Sequence, residues 1–220
     1  MKNSVRLLLP CLVVAAAVLL WWYKTPFTSW ERTVIEKSDS VMYVAVMPED
    51  SVILRAVSKD VPSRAFKSRE LRTLISKMLA TVTDPSQDGV GIAAPQVGIN
   101  RRIVCVMRLD KAGAPFEYYV NVRIDSLSGS IVTGPEGCLS VPPMRGMVPR
   151  HSRIDISYSD IETGSRIYET VEGYTAVIFQ HECDHLDGIL YTDRADTVYV
   201  NEAWAAQRDT FSYSRPLWWK

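Results

Sequence analysis

The side chains with the clearest chemical potential lie together in the last quarter of the chain, where residues 181–185 read H-E-C-D-H. Residues four apart share one face of a helix, so His181 and His185 can bind one metal ion while Glu182 reaches a water molecule beside it. Two helical histidines can also serve only ordinary hydrogen bonds, but the glutamate between them favours hydrolysis. The pattern therefore predicts a metal-dependent hydrolase with Glu182 as general base.

A catalytic metal needs a third protein ligand. Tyr191 stands where the extended metzincin protease pattern has its last histidine, so that pattern fails at its defining ligand. The remaining histidine, His151, and the downstream Glu202 lie in no recognisable ligand context, so cysteine is the natural candidate for the third ligand. Cys138 is the best one, because a glycine precedes it and permits close backbone approach to a cleft. Cys183 faces away from the ligand side of the helix, and Cys105 lies in an apolar strand where it is expected to be core.

Two helices and several strands are predicted to position these groups. The first helix covers residues 68–81 behind Ser68 as a possible N-cap, and the second covers residues 174–185 and ends before Gly188. We expect an α+β fold: a single domain of mostly antiparallel β-sheets packed around the metal-binding helix, preceded by an N-terminal apolar segment. Residues rich in β-branched and aromatic side chains predict strands at 41–47, 102–107, 116–124, 152–160 and 165–171.

The two ends of the chain carry separate predictions. Lys2 and Arg6 precede an apolar run over residues 7–23, an order typical of a signal anchor or export signal that would associate with a membrane. A buried element of a cytoplasmic protein is the alternative. Trp218 and Trp219 are expected in a disordered tail or at a membrane interface. The predicted segments are an anchor or export signal at 1–24, a linker at 25–40, a catalytic domain at 41–196 and a C-terminal extension at 197–220.

Composition narrows the class of protein. Of 220 residues, 47% are apolar and 23% charged, which is ordinary for a globular domain with a substantial core. Lys plus Arg and Asp plus Glu number 25 each, so no basic field would attract nucleic acid, and none is expected as a partner. The four cysteines have neither CxxC spacing nor the density of a disulfide-rich domain.

Three motifs in a fixed order give the chain a family resemblance. They are residues 89–96 (GVGIAAPQ), 136–140 (EGCLS) and 181–185 (HECDH). In this order they resemble the peptide deformylases, over residues 51–195 in all. The resemblance implies hydrolytic removal of the formyl group from N-formylmethionyl peptides or nascent chains, with release of formate.

The resemblance also implies roles for individual residues. Cys138, His181 and His185 would bind the metal, most often iron(II), with zinc, nickel or cobalt as substitutes. Gln96 and the backbone amide of Leu139 would polarise the formyl oxygen. A further group is expected at the substrate: Gly89, Val90 and Gly91, as strand partners of an extended peptide or only as a tight loop, Gly137, and Arg145, which either neutralises a substrate carboxylate or pairs with Glu136 on the surface.

Three departures from the family pattern leave alternatives open. Ile92 replaces a leucine within the first motif, a small apolar change that should not disturb backbone contacts, and Val122 replaces a proline in a turn far in sequence from the ligands. The apparent export segment is the largest departure, since the family works in the cytoplasm or organelles and this chain is expected to be membrane-anchored or exported. A zinc endopeptidase and a non-catalytic relative that binds formylated peptides remain the competing hypotheses.

Overall fold

The computed structural model describes residues 26–87, 89–207 and 215–219. The predicted anchor or export signal at 1–24 lies outside these residues and stays a prediction. Within the described ranges, no helix has the length and apolar character needed to cross a bilayer.

Five helices are present in the described part of the chain. The predicted first helix is confirmed as α3, which the Ser68 hydroxyl caps by accepting from the Leu71 amide at 3.2 Å. The predicted second helix is confirmed as α4. The helices are α1 (Ser29–Lys37), α2 (Ser51–Leu54), α3 (Arg69–Val82), α4 (Gly173–Leu186) and α5 (Glu202–Gln207), with 3-10 turns at Ser63–Ala65, Ala94–Val97 and Tyr191–Asp193.

The strands form one antiparallel sheet in the order β1-β2-β3-β4-β5, and β6 pairs with the first residues of β4. Strands β3 and β4 are a long hairpin, in which Gly137 lies opposite Arg145. The predicted α+β class with a mostly antiparallel sheet is confirmed. The strands are β1 (Gly91–Ala93), β2 (Ile103–Met107), β3 (Phe116–Gly137), β4 (Met144–Ser159), β5 (Arg166–Glu172) and β6 (Thr197–Val200).

The core lies on both faces of β2, because successive strand residues point to opposite sides. Ile103 and Cys105 join the cluster that contains the apolar face of α3. Val104 and Val106 join the cluster that contains the apolar face of α4. Every one of these four side chains is fully buried, so α4 is fixed against the sheet along its length.

Residues 25–40, expected to be a linker, contain instead the helix α1. The polar composition of this segment favoured a linker, but Val34 and Ile35 of α1 are buried in the core beside α3. Glu31 of α1 forms a bidentate ion pair with Arg101 at 2.5 and 3.0 Å. Burial raises the pKa of Glu31, but the hydrogen bonds from Arg101 and from the Thr28 amide outweigh it and hold the pKa below its usual value.

Two further expectations are wrong. Residues 41–47 form no strand; the amides of Met42, Ala45 and Met47 donate instead to the Thr81 hydroxyl, to the Gln96 carbonyl and to the Ser140 carbonyl. The described tail packs against the core, where Trp219 is only 6% exposed. Short apolar runs do not reveal which groups their amides bond.

Candidate metal centre

The centre is built where the end of β3 meets the helix α4. Cys138 follows the last residue of β3, and His181 and His185 project from one face of α4. One ligand-capable atom from each residue lies within 4.8 Å of the others. The Cys138 Sγ and His185 Nε2 atoms are 3.2 Å apart. The structure therefore brings together all three residues predicted as metal ligands.

The donor set fits a transition-metal ion. Thiolate and imidazole suit zinc and iron, and two such donors on one tetrahedral ion lie about 3.5 Å apart. The separation of Cys138 and His185 is close to that distance. Burial lowers the pKa of His185 well below its usual value, which keeps this imidazole neutral, as a metal ligand must be.

A buried carboxylate orients His181. Its Nδ1 lies 2.8 Å from Glu136 Oε2, and because a carboxylate only accepts, Nδ1 is the donor, which leaves Nε2 as the nitrogen that can bind a metal once it is deprotonated. Burial lowers the pKa of His181, but the hydrogen bonds to Cys138 and Glu136 outweigh it and hold the pKa above its usual value, so a metal ion would displace the proton on Nε2. Glu136 is held in turn by Arg150 through two hydrogen bonds of 2.8 and 3.0 Å. Burial raises the pKa of Glu136, but His181 and Arg150 outweigh it and hold the pKa at about 2. Glu136 is therefore an ionised acceptor at neutral pH.

The same arginine ties the ligand-bearing elements together. Arg150 of β4 also donates to Asp184 of α4 at 2.5 Å, and Asp184 accepts two hydrogen bonds from Arg194. Sequence reasoning assigned no role to Arg150, Asp184 or Arg194. Asp184 sits between the two histidines and offered a signal, but the partners of Arg150 depend on the register of the β3–β4 hairpin.

Glu182 follows His181 on α4, and its carboxylate lies against β1. It is 3% exposed, and a Cβ built on Gly91 would lie 2.4 Å from its Oε1. Among the described residues, its Oε2 has no hydrogen-bond partner. Burial raises the pKa of Glu182 to about 7, so this group can both accept and release a proton near neutral pH.

Gln96 approaches the centre from the 3-10 turn that follows β1. Its Oε1 accepts from the Ala93 amide at 2.8 Å, which fixes the orientation of the side-chain amide. The Nε2 atom therefore points at the thiol and lies 3.6 Å from Cys138 Sγ and 3.2 Å from Ser140 Oγ. In this structure both hydrogens of the side-chain amide are therefore directed at groups of the centre.

These groups line one cleft of about 300 Å³. Val177 and Ile178 of α4 add an apolar wall, and Tyr174 adds an aromatic side chain at its rim; sequence reasoning missed all three. His185 lies buried behind the cleft. The predicted site residues among its lining are Gly89, Val90, Gly91, Gln96, Gly137, Cys138, Leu139, Arg145, His181 and Glu182.

Two neighbours of the centre differ from simple expectation. Glu136 is buried and pairs with Arg150, so the proposed surface pair between Glu136 and Arg145 is wrong. Tyr191, which breaks the metzincin pattern, is fully buried and stacks on His181 with ring centroids 6.0 Å apart. It packs against the site through its ring.

Comparison with known proteins decides the family. A sequence model described as polypeptide deformylase matches residues 41–200. This chain belongs to the polypeptide deformylase family. A peptide deformylase of Leptospira biflexa is 40% identical over 149 residues, which cover 64% of this chain and 82% of that relative. The resemblance seen in the three motifs is thereby confirmed.

Solved structures agree with this assignment. A class I type b peptide deformylase from Acinetobacter baumannii, bound to Met-Ala-Ser, is 37% identical with a TM-score of 0.62 and covers 70% of this chain and 98% of that one. Peptide deformylase from Thermotoga maritima is 34% identical with a TM-score of 0.62 and covers 71% and 99%. The deformylase chain is accordingly a metal-dependent hydrolase that acts on N-formyl peptides.

Proposed function

We propose that the chain removes the formyl group from N-formylmethionyl peptides at the centre formed by Cys138, His181 and His185, with Glu182 as proton shuttle. The observation that carries the proposal is the convergence of these four side chains at one cleft of a deformylase fold. Cys138, His181 and Glu182 line the cleft, and His185 lies buried behind it. The products would be formate and a free N-terminus.

A divalent ion held by one thiolate and two imidazoles would act as a Lewis acid and lower the pKa of water. Iron(II) is proposed first, with zinc(II), nickel(II) or cobalt(II) as alternatives, since this donor set accepts all of them. Thiolate ligation would make an iron(II) protein sensitive to oxygen. Glu136 would keep His181 in the ligating tautomer through its hydrogen bond to Nδ1.

The chain's own residues would move the proton and hold the developing charge. Glu182 would take a proton from the attacking water and return it to the departing amine nitrogen. The Gln96 side-chain amide and the Leu139 backbone amide would donate to the formyl oxygen as it becomes an oxyanion. One such donor is worth about 3 kcal/mol of transition-state stabilisation.

The cleft would accommodate a peptide in an extended conformation. Residues Gly89, Val90 and Gly91 would pair with its backbone in the manner of an added strand, with Gly137 on the opposite side. Val177 and Ile178 would contact its apolar first side chain. Arg145 would neutralise a carboxylate further along the peptide. The Acinetobacter baumannii relative bound to Met-Ala-Ser supports this class of ligand.

Location stays part of the proposal. The apolar run at residues 7–23 would anchor the chain to a membrane or direct its export, and the catalytic domain would then follow from residue 41 to 196. Nascent or exported formylated chains would be the substrates in that setting. Fractionation of cells that express the full chain would test it.

The activity is tested with three peptides and the metal-loaded full chain. Formyl-Met-Ala-Ser should release formate, while acetyl-Met-Ala-Ser and an internally quenched peptide with a blocked N-terminus should remain intact. Cleavage of the quenched peptide would support the endopeptidase instead. Tight binding of the formyl peptide without any formate would support a non-catalytic relative.

A further inference from the structure

Two segments outside residues 41–200, the region that matches the family, meet beside the 3-10 turn that carries Gln96. The helix α1 comes from the N-terminal side and residues 215–219 come from the C-terminal side. Trp219 packs edge-on against Trp30 of α1, with ring centroids 5.6 Å apart, and against Tyr43 at 4.8 Å. Trp219 is only 6% exposed, so this contact is part of the core.

Trp219 also anchors a buried carboxylate. Its Nε1 donates to Asp50 Oδ1 at 3.0 Å, and Arg215 pairs with the same oxygen at 2.9 Å. The other oxygen of Asp50 accepts from the Tyr43 hydroxyl at 2.7 Å and from the Val46 amide at 3.0 Å. Asp50 therefore links the C-terminal segment, residues 215–219, to residues 42–47.

A second contact reaches the turn that carries Gln96. Gly98 ends this turn with φ of +84°, and a Cβ built there would lie 2.3 Å from the Trp219 ring. Trp30 donates through its indole nitrogen to the Gly98 carbonyl at 3.0 Å. The two tryptophans thus contact the turn from the side away from Cys138, and the close approach of the Trp219 ring requires a glycine at residue 98.

Residues 42–47 are hydrogen-bonded to two residues that contact Cys138. The Ala45 amide donates to the Gln96 carbonyl at 2.7 Å, and the Met47 amide donates to the Ser140 carbonyl at 2.8 Å. On the other side, the Gln96 side chain and the Ser140 amide lie 3.6 and 3.4 Å from Cys138 Sγ. A continuous path of contacts therefore runs from the C-terminal segment to the thiol.

We propose that Trp219 is a positioning residue for the deformylase centre. Trp219 packs residues 215–219 against Asp50 and Gly98, and these contacts fix the position of residues 42–47. Because residues 42–47 are hydrogen-bonded to Gln96 and Ser140, their position determines the placement of Gln96 and Cys138. This inference rests on the roles proposed above for Gln96 and Cys138. The C-terminal segment then acts on turnover without touching the substrate.

The test compares Trp219→Ala with Leu217→Ala, a fully exposed neighbour in the same segment. Both variants are made in the full chain and loaded with cobalt(II). Trp219→Ala should lower kcat per bound metal by about tenfold with KM within twofold, because small misplacements of catalytic groups act on rate. It should also shift the thiolate-to-cobalt absorption band. Leu217→Ala should change neither quantity.

Loss of stability alone would lower the folded fraction but leave kcat per bound metal and the cobalt band unchanged, and that result would overturn the inference. If Trp219→Ala does not fold, Trp219→Phe decides: it keeps an aromatic ring at this position but removes both the hydrogen bond to Asp50 and the indole atoms that lie against Gly98. A twofold or larger fall in its kcat supports the inference, and an unchanged kcat overturns it. An inactive wild-type chain would refute the proposed function instead, while the cobalt band would still test the positioning.

Discussion

Replacing Gly91 by alanine tests how closely strand β1 approaches the Glu182 carboxylate. The added Cβ would lie 2.4 Å from Oε1 and 2.9 Å from both Cδ and Cγ of Glu182. Ordinary contacts between carbon and oxygen begin at about 3.3 Å. One of the two partners must therefore move by about 1 Å.

The size of the effect follows from that displacement. A misplacement of about 1 Å in a catalytic group costs about 100-fold in rate, which corresponds to about 2.7 kcal/mol of transition-state stabilisation. Stability should fall by a smaller amount: overpacking costs about 1–3 kcal/mol, and the lower conformational entropy of the unfolded alanine variant offsets about 0.4–1 kcal/mol of that cost. Because kcat is measured per folded, metal-bound protein, it reports the displacement of Glu182 separately from this loss of stability.

The assay measures formate released from formyl-Met-Ala-Ser by metal-loaded protein, with metal content determined on the same sample. Gly134→Ala is the matched control, because Gly134 also lies in a strand and a Cβ there meets nothing within 4 Å. We expect kcat of Gly91→Ala to fall about 100-fold with bound metal unchanged. A kcat within twofold of the control would refute the proposed contact, and a raised KM alone would assign Gly91 to peptide binding only.

Three further predictions concern the surroundings of the site. Glu136→Gln should weaken metal binding by about 10- to 100-fold in a chelator competition, because His181 loses its ionised partner; unchanged affinity would contradict the orienting role. Glu31→Gln should lower the free energy of unfolding by about 3 kcal/mol near neutral pH. Since the folded pKa of Glu31 is depressed, its stabilisation is present above about pH 4.5 and is lost below it, so urea unfolding of wild type and variant should converge in acid. Gly188→Ala should lower the free energy of unfolding by about 2 kcal/mol more than Gly164→Ala. Both glycines have positive φ, but only at Gly188 would the added Cβ lie close to a backbone carbonyl, 2.3 Å from the Arg55 oxygen. Equal melting temperatures for the two variants would contradict the predicted collision.

The parts of the fold with local signals were predictable. Helices α3 and α4 have apolar residues at helical spacing, and the sheet strands have β-branched runs bounded by turns. The two histidines and Cys138 belong to short motifs whose residue types declare their chemistry. These features depend on neighbours in sequence, so the sequence alone indicates them.

The remaining features depend on contacts between distant segments. Arg150 meets Glu136 only because the long hairpin pairs in one register. Trp219 meets Asp50 across 169 positions, and nothing in the sequence of either segment announces the contact. The helix α1 was not predicted for a related reason: two apolar residues, Val34 and Ile35, are too few to give a recognisable apolar face among polar residues.

The central claim is that Glu182 moves the proton at a centre held by Cys138, His181 and His185. The most direct test measures formate release per bound metal for wild type and for Glu182→Gln, with formyl-Met-Ala-Ser as substrate. We predict that the variant keeps its full metal content and loses turnover by at least about 100-fold. Turnover within tenfold of wild type at equal metal content would contradict the account.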